Sequence, residues 1–331
     1  MKMAQKAFWY QTSFVYSKKR NFEFMVTRRI ISSKELLRKL TQGKYNEIIE
    51  YASQRENELD VQIRDNYLNI YYEGGNLLKI ESYSPYLSFD EFYFHRGAKD
   101  MRKTHLIDKC KKGDIACIAR WEDYKNRRKE MLGILKARGM ATYCKEMKRI
   151  MKEWDADLQT IGISHDEKKA QQQISMNNRG ATDYTVVDLE YAVSTTSNFK
   201  YNGDSKKKVP RFDIIAVDKT GQLYVIELKT GLKAIDGNSG IRAHMDCFEH
   251  SIGRDSKNDF INEMDELLRQ KQELKLIDKN VRIDQTKKPQ FILAFSDEQG
   301  KNQYEEFVKA CKCRGYQGKV IYVGNDHQLK E

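Results

Sequence analysis

The sequence predicts an α/β fold, a C-terminal part in which strands and helices are mixed, preceded by an α+β region. Three observations carry this reading. Beyond residue 184, short apolar runs interleave with helical patterns; residues 61–95 alternate and are rich in Tyr, Ile and Phe; and residues 119–154 repeat apolar side chains at helical spacing.

In chain order, SSKELLRKLTQGKYNEIIEYASQ (32–54) reads as a helical hairpin, with Ser32 or Ser33 suited to the N-cap. The alternating stretch 61–95, with its Gly74-Gly75-Asn76 turn, reads as a small antiparallel sheet. From Ala119 to Trp154, Met131, Leu135, Met140, Tyr143 and Met147 share one helix face, and Gly133 and Gly139 are placed to break or bend it. Residues 155–180 are polar and poor in aromatics, so the domain boundary is set near 160. This gives a basic α+β domain over 1–160 and a second domain over 161–331. In the second domain follow an apolar stretch at 184–193, two strands in RFDIIAVDKTGQLYVIELKTG, a helix from about Asn258 to Ile277, and strands at 289–296 and 318–324 flanking a helix at Gln303–Cys311.

The 331 residues are 40% hydrophobic and 32% charged, with a mean hydropathy of -0.77. No run reaches the ~18 consecutive apolar residues a spanning helix needs, and the first residues lack the apolar core of a secretory signal. A cytoplasmic protein with no membrane partner is expected. Six cysteines at irregular spacing form no zinc-knuckle pattern and read as reduced thiols.

The net charge is +11. Residues 1–150 hold 31 Lys+Arg against 19 Asp+Glu, a net of +12, and residues 151–331 hold 28 against 29, a net of -1. A basic surface attracts phosphate chains through Coulomb steering and counterion release, so nucleic acid is the expected partner of the first half. Residues 101–150 alone carry 15 basic and 6 acidic side chains, Arg127, Arg128 and Lys129 among them; a solvated helix face is the plain alternative. Self-association as a homo-oligomer is also compatible with the sequence.

Asp218-Lys219-Thr220-Gly221-Gln222 reads as a three-residue hairpin loop closed by a left-handed glycine. Asp218 then faces Gln222, and counting back along both strands sets Asp213 opposite Glu227, with Cβ atoms about 5 Å apart. Lys229 lies on the same face as Glu227. The flanking segments FDIIAV and LYVIEL are almost wholly apolar. Charges there cost several kcal/mol unless paired or metal-bound.

These residues resemble the PD-(D/E)xK nuclease superfamily, which has the restriction-endonuclease-like fold. Asp213 matches its first acid, Glu227-Leu228-Lys229 its tripeptide, and the resemblance covers residues 180–325. It implies a mixed sheet flanked by helices in the C-terminal part. Phe212, not proline, precedes Asp213, and neither Gln270 nor Gln272 is followed by the tyrosine of the RecB-like subgroup. A bare Glu-x-Lys also occurs at Glu146, Glu167 and Glu273, but only Glu227 sits in an apolar strand facing an upstream aspartate. Many members add an acid from the element before the hairpin; Glu190 is the candidate, with Asp188 its rival.

The resemblance implies a metal-dependent nuclease, DNA being the expected substrate. Asp213, Glu227, Glu190 and the Leu228 carbonyl would hold Mg²⁺ or Mn²⁺, and Lys229 would position the attacking water; the products would be a 5′-phosphate and a 3′-hydroxyl. Hard oxygen ligands suit those ions. His244, Asp246 and His250 follow the hairpin without the spacing of a zinc motif, and GLKAIDGNSG (231–240) reads as a flexible loop. The alternative is an inactive nuclease-fold module that binds nucleic acid or protein.

Overall fold

The structure is a computed structural model. It describes residues 29–83, 87–89, 115–160, 166–180, 182–192, 211–232, 235–236, 240–255, 258–296 and 303–330.

The N-terminal helices form as the sequence leads one to expect. Helix α1 (Lys34–Thr41) is capped by Ser33, whose hydroxyl accepts the Leu36 N–H at 3.2 Å, and α2 (Asn46–Ser53) follows. Four strands then make an antiparallel meander: β1 (Asp60–Arg64), β2 (Tyr67–Tyr72), β3 (Gly75–Glu81) and β4 (Leu87–Ser88). The alternating pattern marks the turn at Gly74 but runs β1 and β2 together. Their turn is Asp65-Asn66, where Asn66 takes φ 55, a left-handed conformation asparagine tolerates. Along β2 the even residues Leu68, Ile70 and Tyr72 are buried, and Tyr67, Asn69 and Tyr71 form a half-buried row on the other face.

Helix α3 (Ile115–Thr160) is interrupted at Gly139 (φ 78, ψ 179), while Gly133 stays helical. Its stripe of Met131, Leu135, Met140, Tyr143 and Met147 is buried, and the Tyr143 hydroxyl donates to the Leu77 carbonyl at 2.8 Å, fixing the helix on β3.

The polar segment expected to be a boundary contains helix α4 (Asp166–Asn177). Its inward side chains are largely polar: Gln171, Gln172 and Ser175 are buried beside Ile174 and Met176. Hydropathy therefore hides it. Partners satisfy these groups, since Gln172 bridges the Gly74 N–H and the Glu58 and Tyr71 carbonyls, and the Ser175 hydroxyl donates to Asp60 at 2.9 Å.

The larger sheet has the order β5 (Tyr184–Ala192), β6 (Arg211–Asp218), β7 (Leu223–Thr230), β8 (Gln290–Ser296) and β9 (Val320–Val323). The first three strands are antiparallel, and β8 and β9 run parallel to β7, so the sheet is mixed. Helices α5 (Ile241–Phe248) and α6 (Asp259–Glu273) cross from β7 to β8, and α7 (Tyr304–Cys313) crosses from β8 to β9. One face buries Val186, Ile214, Ala216, Ile226 and Leu228 with Ile174 of α4. The other buries Val187, Ile215, Val217 and Val225 with α6, in a core continuous with that of the N-terminal sheet.

Polar contacts cross the same junction. The Gln270 carboxamide bonds both the N–H and the carbonyl of Ile31, and Lys271 donates to Gln62 at 2.8 Å. Asp188 is fully buried and paired with Arg64 (2.7 Å) and Arg29 (3.5 Å). Burial pushes the Lys271 ammonium down to about 8, against the pull of Asp60 and Asp188. Among the described residues no helix is long and apolar enough to cross a membrane.

Candidate active site

The β6–β7 turn is closed by the Asp218 N–H to the Gln222 carbonyl (3.1 Å) and the Gly221 N–H to the Asp218 carbonyl (3.1 Å). Gly221 has φ 84, and a Cβ there would lie 2.8 Å from the Asp284 nitrogen, so both conformation and space require glycine. The register runs from Val217↔Leu223 to Ile214↔Ile226, as the turn dictates. One step further stand Asp213 and Glu227. There the carboxylate of Asp213 takes up a main-chain donor, accepting the Leu228 N–H at 2.8 Å, with the Gln171 carboxamide on its other oxygen at 3.0 Å.

Lys229 donates to Glu227 Oε1 at 2.6 Å, and His244 Nε2 lies 3.2 Å from the same oxygen. Glu227 is within hydrogen-bonding reach of Asp213, but its Oε2 is buried without a partner. All four side chains are buried. Desolvation, then the charge of Glu227, holds the Asp213 carboxyl well above its ordinary range, with Lys229 opposing. Burial pushes Glu227 up to about 7, again against Lys229. Burial and the nearby Lys229 push His244 down to about 4. Burial thus favours the neutral ring, so the contact with Glu227 is not an ion pair. The His244 Nδ1 lies 3.1 Å from the Gly240 carbonyl, which fixes the ring.

Glu167 raises both acids further. It stands one helical turn before Gln171 on α4, so both point to one side of the helix. By sequence alone Glu167 is only a Glu-x-Lys in a polar stretch. Its signal is the four-residue spacing to Gln171, invisible until the segment is known to be helical. Sequence spacing likewise leaves His244 untied to Glu227, because no pattern announces α5.

Glu190 and Asp188 are placed differently. Glu190 lies between Leu189↔Ile214 and Tyr191↔Phe212, hence beside Asp213 on the neighbouring strand. Its φ of 53 breaks the strand alternation, and its carboxylate pairs with Arg211 at 3.5 Å. Asp188 is committed to Arg29 and Arg64.

The donors that could hold a cation are the Asp213 and Glu227 carboxylates and the Leu228 carbonyl. Among the described residues no group of three His, Cys, Asp or Glu is placed to bind a metal. Two carboxylates suffice for Mg²⁺, which keeps several waters and takes up substrate phosphate oxygens. The unpartnered Glu227 Oε2 and the two raised acids fit such an ion, whose positive charge would satisfy both. Searches of family models, curated proteins and solved structures find no match to this chain.

Proposed function

We propose that the chain is a divalent-metal-dependent nuclease acting on DNA, with its site at the end of the β6–β7 hairpin. The observation that carries this is the buried Asp213–Glu227 pair, with one oxygen unpartnered and Lys229 beside it. Two such acids and one lysine are electrostatically unfavourable without a further cation, and a phosphodiester is a substrate that shares one with them.

When bound, Mg²⁺ or Mn²⁺ supplies charge neutralisation on the phosphoryl oxygens and lowers the pKa of water. Asp213 and Glu227 hold that charge, and Glu167 adds an acid from the helix side. Gln171 and the Leu228 N–H fix the Asp213 carboxylate, and Lys229 fixes Glu227 Oε1, so neither acid needs to reorganise. The Lys229 ammonium orients the attacking water and offsets charge on a non-bridging oxygen.

Incubation with plasmid, linear duplex, single-stranded DNA and RNA, each with Mg²⁺, Mn²⁺ or EDTA, tests this. Metal-dependent cleavage abolished by EDTA is the expected result. Intact substrate under every condition, with nucleic acid still bound, would favour the inactive binding module.

A further inference from the structure

Between the row Tyr67, Asn69 and Tyr71 of β2 and the side chains Lys168 and Gln171 of α4 lies a cavity of about 350 Å³. It adjoins the acid pair, because Gln171 lines it and also donates to Asp213. A cavity of this size is at the lower end of small-ligand sites, room for one nucleotide and not for a stacked duplex.

Its walls have three kinds of chemistry. Tyr67 and Tyr71 offer aromatic surface, and Tyr67 already carries the Lys79 ammonium 4.1 Å from its ring centre. Asn69 lies between them, donating to the Tyr71 hydroxyl at 2.7 Å, and its Oδ1 is buried without a partner. Whichever way that amide is turned, one of its two polar atoms is left to be satisfied. The third is charge. Arg29 and Arg64 share Asp188, Arg211 faces Glu190, Asp60 is held by Ser175 and Arg179, and the Asn66 carboxamide holds Asp65. Among the described residues no carboxylate pairs with Lys168, which is exposed at the mouth.

We infer that the cavity receives one unpaired nucleotide of the nucleic-acid strand. Its base lies on the Tyr67–Tyr71 face with an edge on the Asn69 amide, its phosphate meets Lys168, and the adjoining phosphodiester reaches Asp213 and Glu227. The inference rests on the nuclease reading for what happens at that phosphodiester; the binding it describes does not need catalysis. Base–aromatic stacking tolerates any base, and a single amide edge adds a preference among bases. The nuclease would thus act on single strands or on extruded nucleotides.

Fluorescence anisotropy of the full chain in EDTA, with labelled single-stranded DNA, single-stranded RNA and blunt duplex of equal length, tests the inference. Wild type is compared with Tyr67→Leu, Asn69→Leu and Lys168→Glu. The last lies on the surface and keeps the fold even if the first two do not, which melting curves establish. Single strands should bind more tightly than duplex to wild type, and Tyr67→Leu should weaken single-strand binding about tenfold or more. Lys168→Glu should weaken it and flatten its salt dependence by about one. Unchanged single-strand affinity in folded Tyr67→Leu and in Lys168→Glu would overturn the inference, as would equal wild-type affinity for duplex. Free dAMP or dCMP competing as strongly as the oligonucleotide would overturn it in favour of a mononucleotide site. Selective binding lost in the variants, with no cleavage by wild type in any metal, would refute the nuclease reading and keep this one. Metal-dependent cleavage with binding and KM unaffected in the variants would do the reverse.

Discussion

At the scale of single residues, the hairpin acids set the energetics of the site. Each side chain touches a partner in the same group, so Asp213→Ala, Glu227→Ala and Lys229→Ala are each expected to reduce cleavage about 10²-fold or more, with losses that do not add. Cleavage surviving all three substitutions would remove the assignment. Between the two further acids, Glu167, whose charge raises both members of the pair, is favoured over Glu190, whose carboxylate pairs with Arg211. Glu167→Ala should therefore slow turnover more than Glu190→Ala, and kinetics of the two variants in Mg²⁺ decides between them.

The same burial makes stability depend on pH. Glu227 has its folded pKa raised from 4.5 to about 7, so between those values the metal-free folded chain keeps a proton that the unfolded chain has released. Its contribution is neutral below pH ~4.5 and grows unfavourable as pH rises toward 7, on the order of 3 kcal/mol at most. Glu227→Gln should thus raise the melting temperature at pH 7.5 and make little difference at pH 4.5. Added Mg²⁺ should raise that of wild type at pH 7.5 and not that of the variant. A variant less stable than wild type at pH 7.5 would mean that the acid is not strained.

Among the elements, those the sequence makes legible share one property, a pattern written in apolar residues. The β6–β7 hairpin is readable to its register because Gly221 marks the turn and apolar runs flank it. Helix α3 is readable with two candidate breaks, of which the structure takes Gly139 and not Gly133, and α1 with two candidate caps, of which it takes Ser33. The elements that hydropathy hides are held by polar groups. Helix α4 docks through Gln171, Gln172 and Ser175, so no hydrophobic period announces it, and the β1–β2 turn rests on a left-handed Asn66 inside a run of good strand formers. The left-handed Glu190 cannot be foreseen from alternation, because it violates alternation.

The basic face of α3 is a separate matter. Arg128 donates to the Leu87 carbonyl at 3.2 Å and so helps hold the helix on its sheet, whereas Lys129, Lys136 and Arg138 are exposed. Reversing these three to glutamate should weaken nucleic-acid binding across all sequences and reduce the salt slope by about one for each phosphate that is no longer neutralised. Unchanged affinity at low salt would leave this face with solubility alone.

At the scale of the whole molecule, the N-terminal sheet and the C-terminal sheet share a core. Val187, Ile215 and Val225 belong to the same apolar cluster as Ile63, Ile70 and Ile80, with Met264 and Leu267 of α6 among them. A fragment of residues 161–331 would expose that surface and would leave Asp188 and Lys271 without Arg64 and Gln62. It is expected to lack a cooperative melt and to bind hydrophobic dye, which calorimetry and dye fluorescence check. A sharp transition in the fragment would show that the C-terminal sheet stands alone.

The Gln270 carboxamide that grips both polar atoms of the Ile31 main chain closes a loop of 239 residues. A ribosome adding about 5–20 residues per second needs roughly 12–48 s to travel that distance. Until Gln270 is made, the segment at Ile31 lacks this clasp. A contact so distant in sequence closes only after α6 is made, and until then the N-terminal sheet lacks the α6 side chains that share its apolar cluster.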